Sequence, residues 1–180
     1  VFQDREILLV AQTESAVKYK DAITDYASKK NAILISINFP SLIPDLAFDY
    51  IIVSHNEKFR EDQHSYQNSK CPFIAPKHLF SEVDIEIAHD YGFSIKESEF
   101  KPCGSYVQIP LRLTLAYALG FCLDAGSNNI NLAGFCGFDQ TDPRQKEMES
   151  FLSILSSHDI ILRSLTPTTF SIDERSIYAI

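Results

Sequence analysis

The residue types best suited to chemistry follow a short apolar run in the second half of the chain. Two glycines interrupt the run, and charged side chains come shortly after them. A guanidinium can hold a phosphate or a carboxylate through two parallel hydrogen bonds. The pattern therefore predicts an anion-binding turn at the end of a strand. The residues concerned are Gly134, Gly137, Asp139, Asp142 and Arg144.

The same residues also have a purely structural interpretation. Asp142 precedes Pro143, and an aspartate before a proline is typical of a helix N-cap with proline at the first helical position. Gln145 could complete a capping box by reaching back to the cap. On this interpretation Asp139 and Asp142 are turn and cap residues, and Arg144 is solvated. Both interpretations stay open at this stage.

A second candidate is the pair His55 and Asn56, which directly follows the apolar residues 50–53. Carboxyl ends of parallel strands meet at one edge of a sheet, and ligands bind there. Histidine at such a place is suited to general acid or base catalysis. The alternative is a polar loop residue without a catalytic role. We expect this pair to share a ligand-binding rim with the glycine turn, and no catalytic residue is assigned.

Several familiar sites are excluded by the sequence. The turn after the first apolar run, residues 11–15, contains no glycine, and its Glu14 would repel a pyrophosphate, so a dinucleotide-binding turn is not expected. A phosphate-binding loop with its lysine is also missing, so no cofactor is predicted. Zinc sites need closely spaced Cys/His pairs. We predict no metal site, because no such spacing involves Cys71, Cys103, Cys122 or Cys136.

Composition narrows the range of partners. The 180 residues carry a formal net charge of −8, which argues against a nucleic-acid-binding face and against an anionic membrane surface. No apolar stretch is long enough for a transmembrane helix. Unpaired cysteines indicate a reducing compartment, so a cytoplasmic location is expected. The chain begins with Val1 rather than methionine, and we expect it to be part of a longer protein.

The elements that must position these residues alternate between short apolar runs and amphipathic helices. This alternation is typical of βαβ units with a mostly parallel sheet. We therefore predict one domain, residues 1–180, with a three-layer Rossmann-like α/β fold. Central strands are expected at residues 7–10, 33–37, 51–53 and 130–133, and further strands at 72–75, 93–95, 159–162 and 176–180. Residues 83–87 are expected to form an edge strand or a short helix, and longer helices are expected at 15–29, 111–125 and 143–155.

Three segments of the second half resemble a known family. They read LTLAYALGFCLDAGSNNINLAGF at 113–135, GFDQTDPRQKEM at 137–148 and SLTPTTFSIDERSIYAI at 164–180. They are similar to the C-terminal domain of bacterial aldolase-like proteins of the pyruvate-lyase and HMG-CoA-lyase-like group, often labelled 4-hydroxy-2-oxovalerate aldolases and associated with surface-polysaccharide biosynthesis. A looser likeness connects residues 113–139 to bacterial sialyltransferases and to 6-hydroxymethylpterin diphosphokinase-like proteins.

The resemblance implies a preceding aldolase domain in the full-length chain and a nucleotide or sugar phosphate as a small anionic ligand. Cys136 stands where the related domains tend to have aspartate, and the first turn lacks their glycine. We therefore expect an accessory ligand-binding domain without a catalytic motif of its own. The alternatives are a transferase domain that uses a nucleotide-activated or diphosphate substrate, and an interaction domain for enzyme assembly.

Overall fold

A computed structural model describes residues 2–3, 5–81, 83 and 85–179 of the chain. Eleven strands lie in this part, eight in a main sheet and three in a small one. The strands are β1 (Ile7–Ala11), β2 (Ile33–Ile37), β3 (Tyr50–Ile52), β4 (Phe73–Ala75), β5 (Ile87–Asp90), β6 (Gly92–Ile95), β7 (Lys101–Pro102), β8 (Tyr106–Ile109), β9 (Asn129–Ala133), β10 (Ile161–Ser164) and β11 (Asp173–Glu174).

The main sheet is parallel throughout, in the order β11-β10-β9-β1-β2-β3-β4-β5. The four strands expected at the centre are β9, β1, β2 and β3, and they occupy its four middle positions. Strands buried on both faces read as continuous apolar runs, which is why these four were predictable. The chain therefore has the α/β, Rossmann-like three-layer fold with a mostly parallel sheet.

Helices cover both faces of this sheet. Side chains of β1 alternate between the two faces: Ile7 and Leu9 pack in one apolar cluster, and Leu8 and Val10 pack in another. The first face is covered by α5 and α6, and the second by α1 to α4. The helices are α1 (Glu14–Lys18), α2 (Lys20–Lys30), α3 (Asn56–Glu61), α4 (Gln63–Gln67), α5 (Thr114–Asp124) and α6 (Pro143–Leu155).

Helix α5 is buried on nearly all sides, as its uniformly apolar sequence predicts. It lies between the main sheet and the small sheet, whose strand order is β6-β8-β7. A Cβ added at Gly120 would overlap the side chain of Val107 in β8. Gly120 therefore permits a close approach between α5 and β8.

Some element boundaries differ from the sequence-based expectations. The described residues 176–179 form no strand, and the last strand is β11, two residues long. Within residues 83–87, where an edge strand or short helix was expected, β5 begins only at Ile87; Glu82 and Asp84 lie outside the described residues. The helix predicted over 15–29 is divided at Tyr19 into α1 and α2, and α5 starts at Thr114 rather than at 111.

Candidate functional site

The strand order reverses direction at β1, which has β2 on one side and β9 on the other. The loops that leave β1 and β9 therefore diverge at the carboxyl edge of the sheet, where open α/β sheets bind ligands. Here the Thr13 hydroxyl donates a 2.8 Å hydrogen bond to the Gly134 carbonyl and also caps α1 by accepting from the Ala16 amide. A Cβ at Gly134 would stand 2.9 Å from the Ala16 Cβ. Gly134 thus allows the loops after β1 and β9 to pack closely against each other at this edge.

Gly137 has a similar packing role. Its φ of +91° is left-handed, and a Cβ there would overlap the hydroxyl of Thr169. The Thr169 amide donates to the Cys136 carbonyl at 2.9 Å. Gly137 therefore lets the loop after β9 lie directly against the loop after β10.

The two predicted aspartates are engaged within their own turn. Asp139 accepts from the Thr141 hydroxyl at 2.6 Å and from the Thr141 amide at 2.9 Å, and these bonds lower the pKa of Asp139. Asp142 accepts from the Arg144 amide at 2.9 Å, which confirms its expected role as the N-cap of α6. Hydrogen bonds from Arg144 hold the pKa of Asp142 at about 2.

Arg144 is occupied by the same cap. Its guanidinium binds the Asp142 carboxylate, with 2.5 Å between Nη2 and Oδ2, and lies 4.4 Å from the ring centroid of Phe138. The side chain is 66% exposed, so the ion pair is open to water. The prediction that Gln145 completes a capping box is wrong. The Gln145 Oε1 accepts from the Phe138 amide, and the Asp142 amide donates to the Asp139 carbonyl.

His55 and Asn56 stand at the same edge but not in the same cluster. His55 follows β3, its Nε2 lies 2.8 Å from the Arg112 carbonyl oxygen, and Asn56 begins α3. Two strands, β1 and β2, separate β3 from β9. At the usual strand spacing this places the two parts of the predicted rim about 14 Å apart. The rim is therefore one edge of the sheet with two separate polar regions.

The ends of β1 and β2 carry a polar cluster that the sequence did not single out. The Gln12 side-chain amide donates to the Ser36 hydroxyl at 2.9 Å, and Ser36 donates to the Asn38 carbonyl at 2.7 Å. Two oxygens in this cluster, Gln12 Oε1 and Asn38 Oδ1, are buried and have no hydrogen-bond partner. Buried polar atoms are almost always paired, so two unpaired oxygens close together at the carboxyl edge mark a candidate site. The other buried, unpaired side-chain oxygens of the described residues belong to Tyr66, Tyr117 and Asn131, outside this cluster.

The next strand extends this cluster. The Asn38 amide donates to the Ile52 carbonyl in β3, and Ser54, two residues further on, lies with its hydroxyl 3.0 Å from that of Thr114. Thr114 is the first residue of α5, and no side chain caps this N-terminus. Amides in the first turn of a helix lack acceptors within the helix and attract anions. Hydroxyls, amides and unpaired oxygens therefore meet at the ends of β1, β2 and β3.

A groove of about 510 Å³ lies beyond β9 at the same edge, between α1 and the loop after β10. Lys18 and Glu14 place opposite charges along it. Its hydroxyls are engaged, since Thr168 accepts from the Phe170 amide and Thr169 donates to the Cys136 carbonyl. This groove has the volume of a small-molecule site, but few of its polar groups lack a hydrogen-bond partner. It is therefore the weaker of the two candidate ligand-binding regions.

The described residues contain neither a group of side chains placed as metal ligands nor a helix that could span a membrane. Among them, no three His, Cys, Asp or Glu side chains are grouped as metal ligands would be. All four cysteines are free thiols, and burial raises the pKa of Cys71 to about 11. In the same part of the chain, no helix has the length and apolar character that crossing a membrane requires.

No protein-family model, curated protein sequence or solved structure matches this chain. The fold and the polar cluster at the ends of β1, β2 and β3 are therefore the features that bear on its function.

Proposed function

We propose that this domain binds a nucleotide or a sugar phosphate at the carboxyl ends of β1, β2 and β3. We further propose that it is the C-terminal accessory domain of an aldolase-like protein of bacterial surface-sugar biosynthesis. The observation that carries the ligand proposal is the pair of buried, unpartnered oxygens, Gln12 Oε1 and Asn38 Oδ1. The aldolase proposal depends on the resemblance of residues 113–180.

The unpaired oxygens favour a ligand that brings hydrogen-bond donors. Leaving a buried acceptor unsatisfied costs about 1–3 kcal/mol, so a donor that reaches it recovers much of that free energy. Sugar hydroxyls and the exocyclic amines of nucleobases are such donors. Both atoms lie below the surface, so the proposed ligand reaches them only after a local rearrangement.

The same cluster also suits a phosphate. Helix α5 directs its uncapped N-terminus to this edge beside the Ser54 and Thr114 hydroxyls. An anionic group would accept from the first-turn amides and from these hydroxyls. The net charge of −8 opposes anions in general, so a site here must depend on local geometry, and we expect modest affinity.

Titration with nucleotides, nucleotide sugars and sugar phosphates, followed by calorimetry and by backbone amide shifts, tests the ligand proposal. We expect shifts at Gln12, Asn38 and the start of α5. If no compound binds at millimolar concentration, or if the shifts lie elsewhere, the ligand proposal is wrong.

Asn38→Gly is a sharp variant for this titration. Asn38 has a left-handed φ of +65°, which glycine adopts readily, so the side chain can be removed without strain. Asn31→Gly is the matched control, because Asn31 is also left-handed, with φ +49°, but lies at the opposite end of β2. Ligand affinity should fall with Asn38→Gly and not with Asn31→Gly.

Arg144→Ala tests which of the two polar regions of the carboxyl edge binds the ligand. If the ligand binds at β1, β2 and β3, this variant should keep wild-type affinity, because its guanidinium is paired with Asp142 near β9. A clear loss of affinity would instead favour the region originally expected from the sequence.

The aldolase proposal has its own test. The complete reading frame should encode an aldolase barrel with metal-binding residues ahead of Val1. A reading frame without such a barrel would contradict this proposal and leave the ligand proposal intact.

A transferase is the second candidate, and the position of His55 favours it. His55 stands one residue after Ser54, at the edge where the proposed ligand binds, and a transferase needs a base near its substrate. Release of nucleotide from a nucleotide sugar, abolished by His55→Ala, would support the transferase. Binding without turnover would favour the accessory domain.

A further inference from the structure

A second cavity, of about 330 Å³, opens at the opposite end of α5. It lies against β4 and β5, close to the start of β3, so it is remote from the carboxyl edge. Its volume falls within the range of small-molecule sites. Half of its lining residues carry aromatic rings and one carries a carboxylate: Phe2, Tyr50, His89, Tyr91, Phe121 and Asp124. Phe2, Tyr91 and Phe121 are buried, whereas Tyr50 is half-buried and His89 and Asp124 are exposed.

The rings form a connected cluster around the cavity. Phe121 is the centre of the cluster, with ring centroids 5.5 Å from Phe2, 5.4 Å from Tyr91 and 5.1 Å from His89. Tyr50 adds a further ring, 5.5 Å from Phe2. Aromatic faces carry partial negative charge and attract cations with an apolar shell.

The exposed side chain of Asp124 places a carboxylate at the opening of the same cavity. Its Oδ2 accepts from the Tyr91 hydroxyl at 2.5 Å and from the Gly104 amide at 2.8 Å. Burial and the bond to Asp124 raise the pKa of Tyr91, so its hydroxyl remains a donor. These two bonds fix the carboxylate at the cavity wall.

Among the described residues, no cation forms an ion pair with Asp124. Asp124 is the last residue of α5, whose last turn has no basic residue. A carboxylate is unfavourable beside the negative end of a helix dipole. A fixed carboxylate at the opening of an aromatic cavity is complementary to a cation.

We propose that this cavity binds an organic cation, a quaternary ammonium or guanidinium group, with the accessible parts of the Tyr50, His89 and Phe121 rings against its apolar surface and Asp124 against its charge. Such a group can come from a free small molecule or from an arginine side chain of a partner protein. The chemistry of recognition is the same for both sources.

The first test compares choline with its neutral isostere 3,3-dimethylbutan-1-ol, using the whole chain and backbone amide shifts. The two probes have the same shape and differ in charge. We expect choline to shift Gly104 and Asp124 and to bind about tenfold more tightly than the alcohol. Equal binding of both probes, or no shift at these residues, would overturn the proposal.

Asp124→Asn tests the charge directly. The amide oxygen can still accept from Tyr91 and Gly104, while the charge is lost. We expect choline affinity to fall about tenfold while the alcohol binds as before. Asp25→Asn, on the exposed face of α2, is the control for the change in net charge and should have no effect.

Should Asp124→Asn not fold, Ala88→Phe provides a second variant. Ala88 is exposed on the edge strand β5 and lines the cavity, so a ring there fills it. Choline binding should be lost, and unchanged binding would contradict the proposal.

Titration with N-acetylarginine amide identifies the source of the cation. Tighter binding than choline indicates an arginine side chain of a partner protein, and weaker binding indicates a small molecule. Because both arms report at Asp124, their outcome is independent of nucleotide binding at the carboxyl edge.

Discussion

The hydroxyl of Thr13 and the carbonyl of Gly134 are joined by a 2.8 Å hydrogen bond between the loops that leave β1 and β9. In a dinucleotide-binding fold, a glycine-rich turn at this position leaves room for a pyrophosphate. Here the protein satisfies its own polar groups at that place. In the proposed function the ligand binds closer to β2 and β3, where unsatisfied oxygens remain.

Replacing Thr13 with valine should destabilise the domain. Valine keeps the shape but removes the donor to Gly134 and the cap of α1, so we expect a loss of about 1–3 kcal/mol in the free energy of unfolding. Urea denaturation measures this. Thr13→Ser keeps the hydroxyl and should lie close to wild type; an equal loss for both variants would show that packing, not the hydrogen bond, is responsible.

The cap of α6 should make stability depend on pH in the acidic range. The pKa of Asp142, at about 2, is below its ordinary value of about 3.9, so the charged form stabilises the fold above that value. This contribution is lost as pH falls through the folded value. The gap in urea midpoint between wild type and Asp142→Ala should be full at neutral pH and shrink between about pH 4 and pH 2. A gap that stays constant over this range would contradict the ion-pair account.

Gly137→Ala should be far more damaging than Gly104→Ala. Both glycines have positive φ, +91° and +83°, so both substitutions carry a backbone penalty of about 1–2 kcal/mol. A Cβ at Gly104 meets nothing within 4 Å, whereas one at Gly137 overlaps Thr169. Thermal denaturation of both variants should show the difference, and adding Thr169→Ala to Gly137→Ala should recover part of the loss. Equal melting temperatures would show that the two loops are not tightly packed.

Gly120→Ala should destabilise the packing of α5 against β8. Alanine has the higher helix propensity, by about 1 kcal/mol, so an isolated helix would gain stability. In the folded domain the new methyl overlaps Val107, and we expect a net loss. The double variant Gly120→Ala/Val107→Ala should be more stable than Gly120→Ala alone in a urea titration. Failure of this rescue would place the cause outside the contact with β8.

The sequence was informative where one property of a segment decides its structure. The continuous apolar runs of β9, β1, β2 and β3 and the cap at Asp142 were predictable because burial and the first helical turn depend on local residue types. Strands β7, β8 and β11 were missed. They have only two, four and two residues, and their pairing partners, rather than their own residues, determine that they are strands.

The polar cluster could not have been found in the same way. Gln12, Ser36 and Asn38 each have an unremarkable neighbourhood in sequence, and their relation appears only when β1 and β2 lie side by side. The available signal was that polar residues follow two neighbouring apolar strands. For Arg144 the sequence was misleading. An arginine at this position suggested a contact with a ligand, but its guanidinium is paired with the neighbouring Asp142.

The position of β1 has a consequence for how the chain acquires its structure. Ile7 pairs with Ile33 on one side and with Ile130 on the other. During synthesis, β1 and β2 can associate early, but the other edge of β1 stays open until β9 has left the ribosome. An apolar, unpaired strand edge invites association with other chains. Contacts between such distant segments also slow folding. We therefore expect the nascent chain to expose the unpaired edge of β1 until β9 has been synthesised.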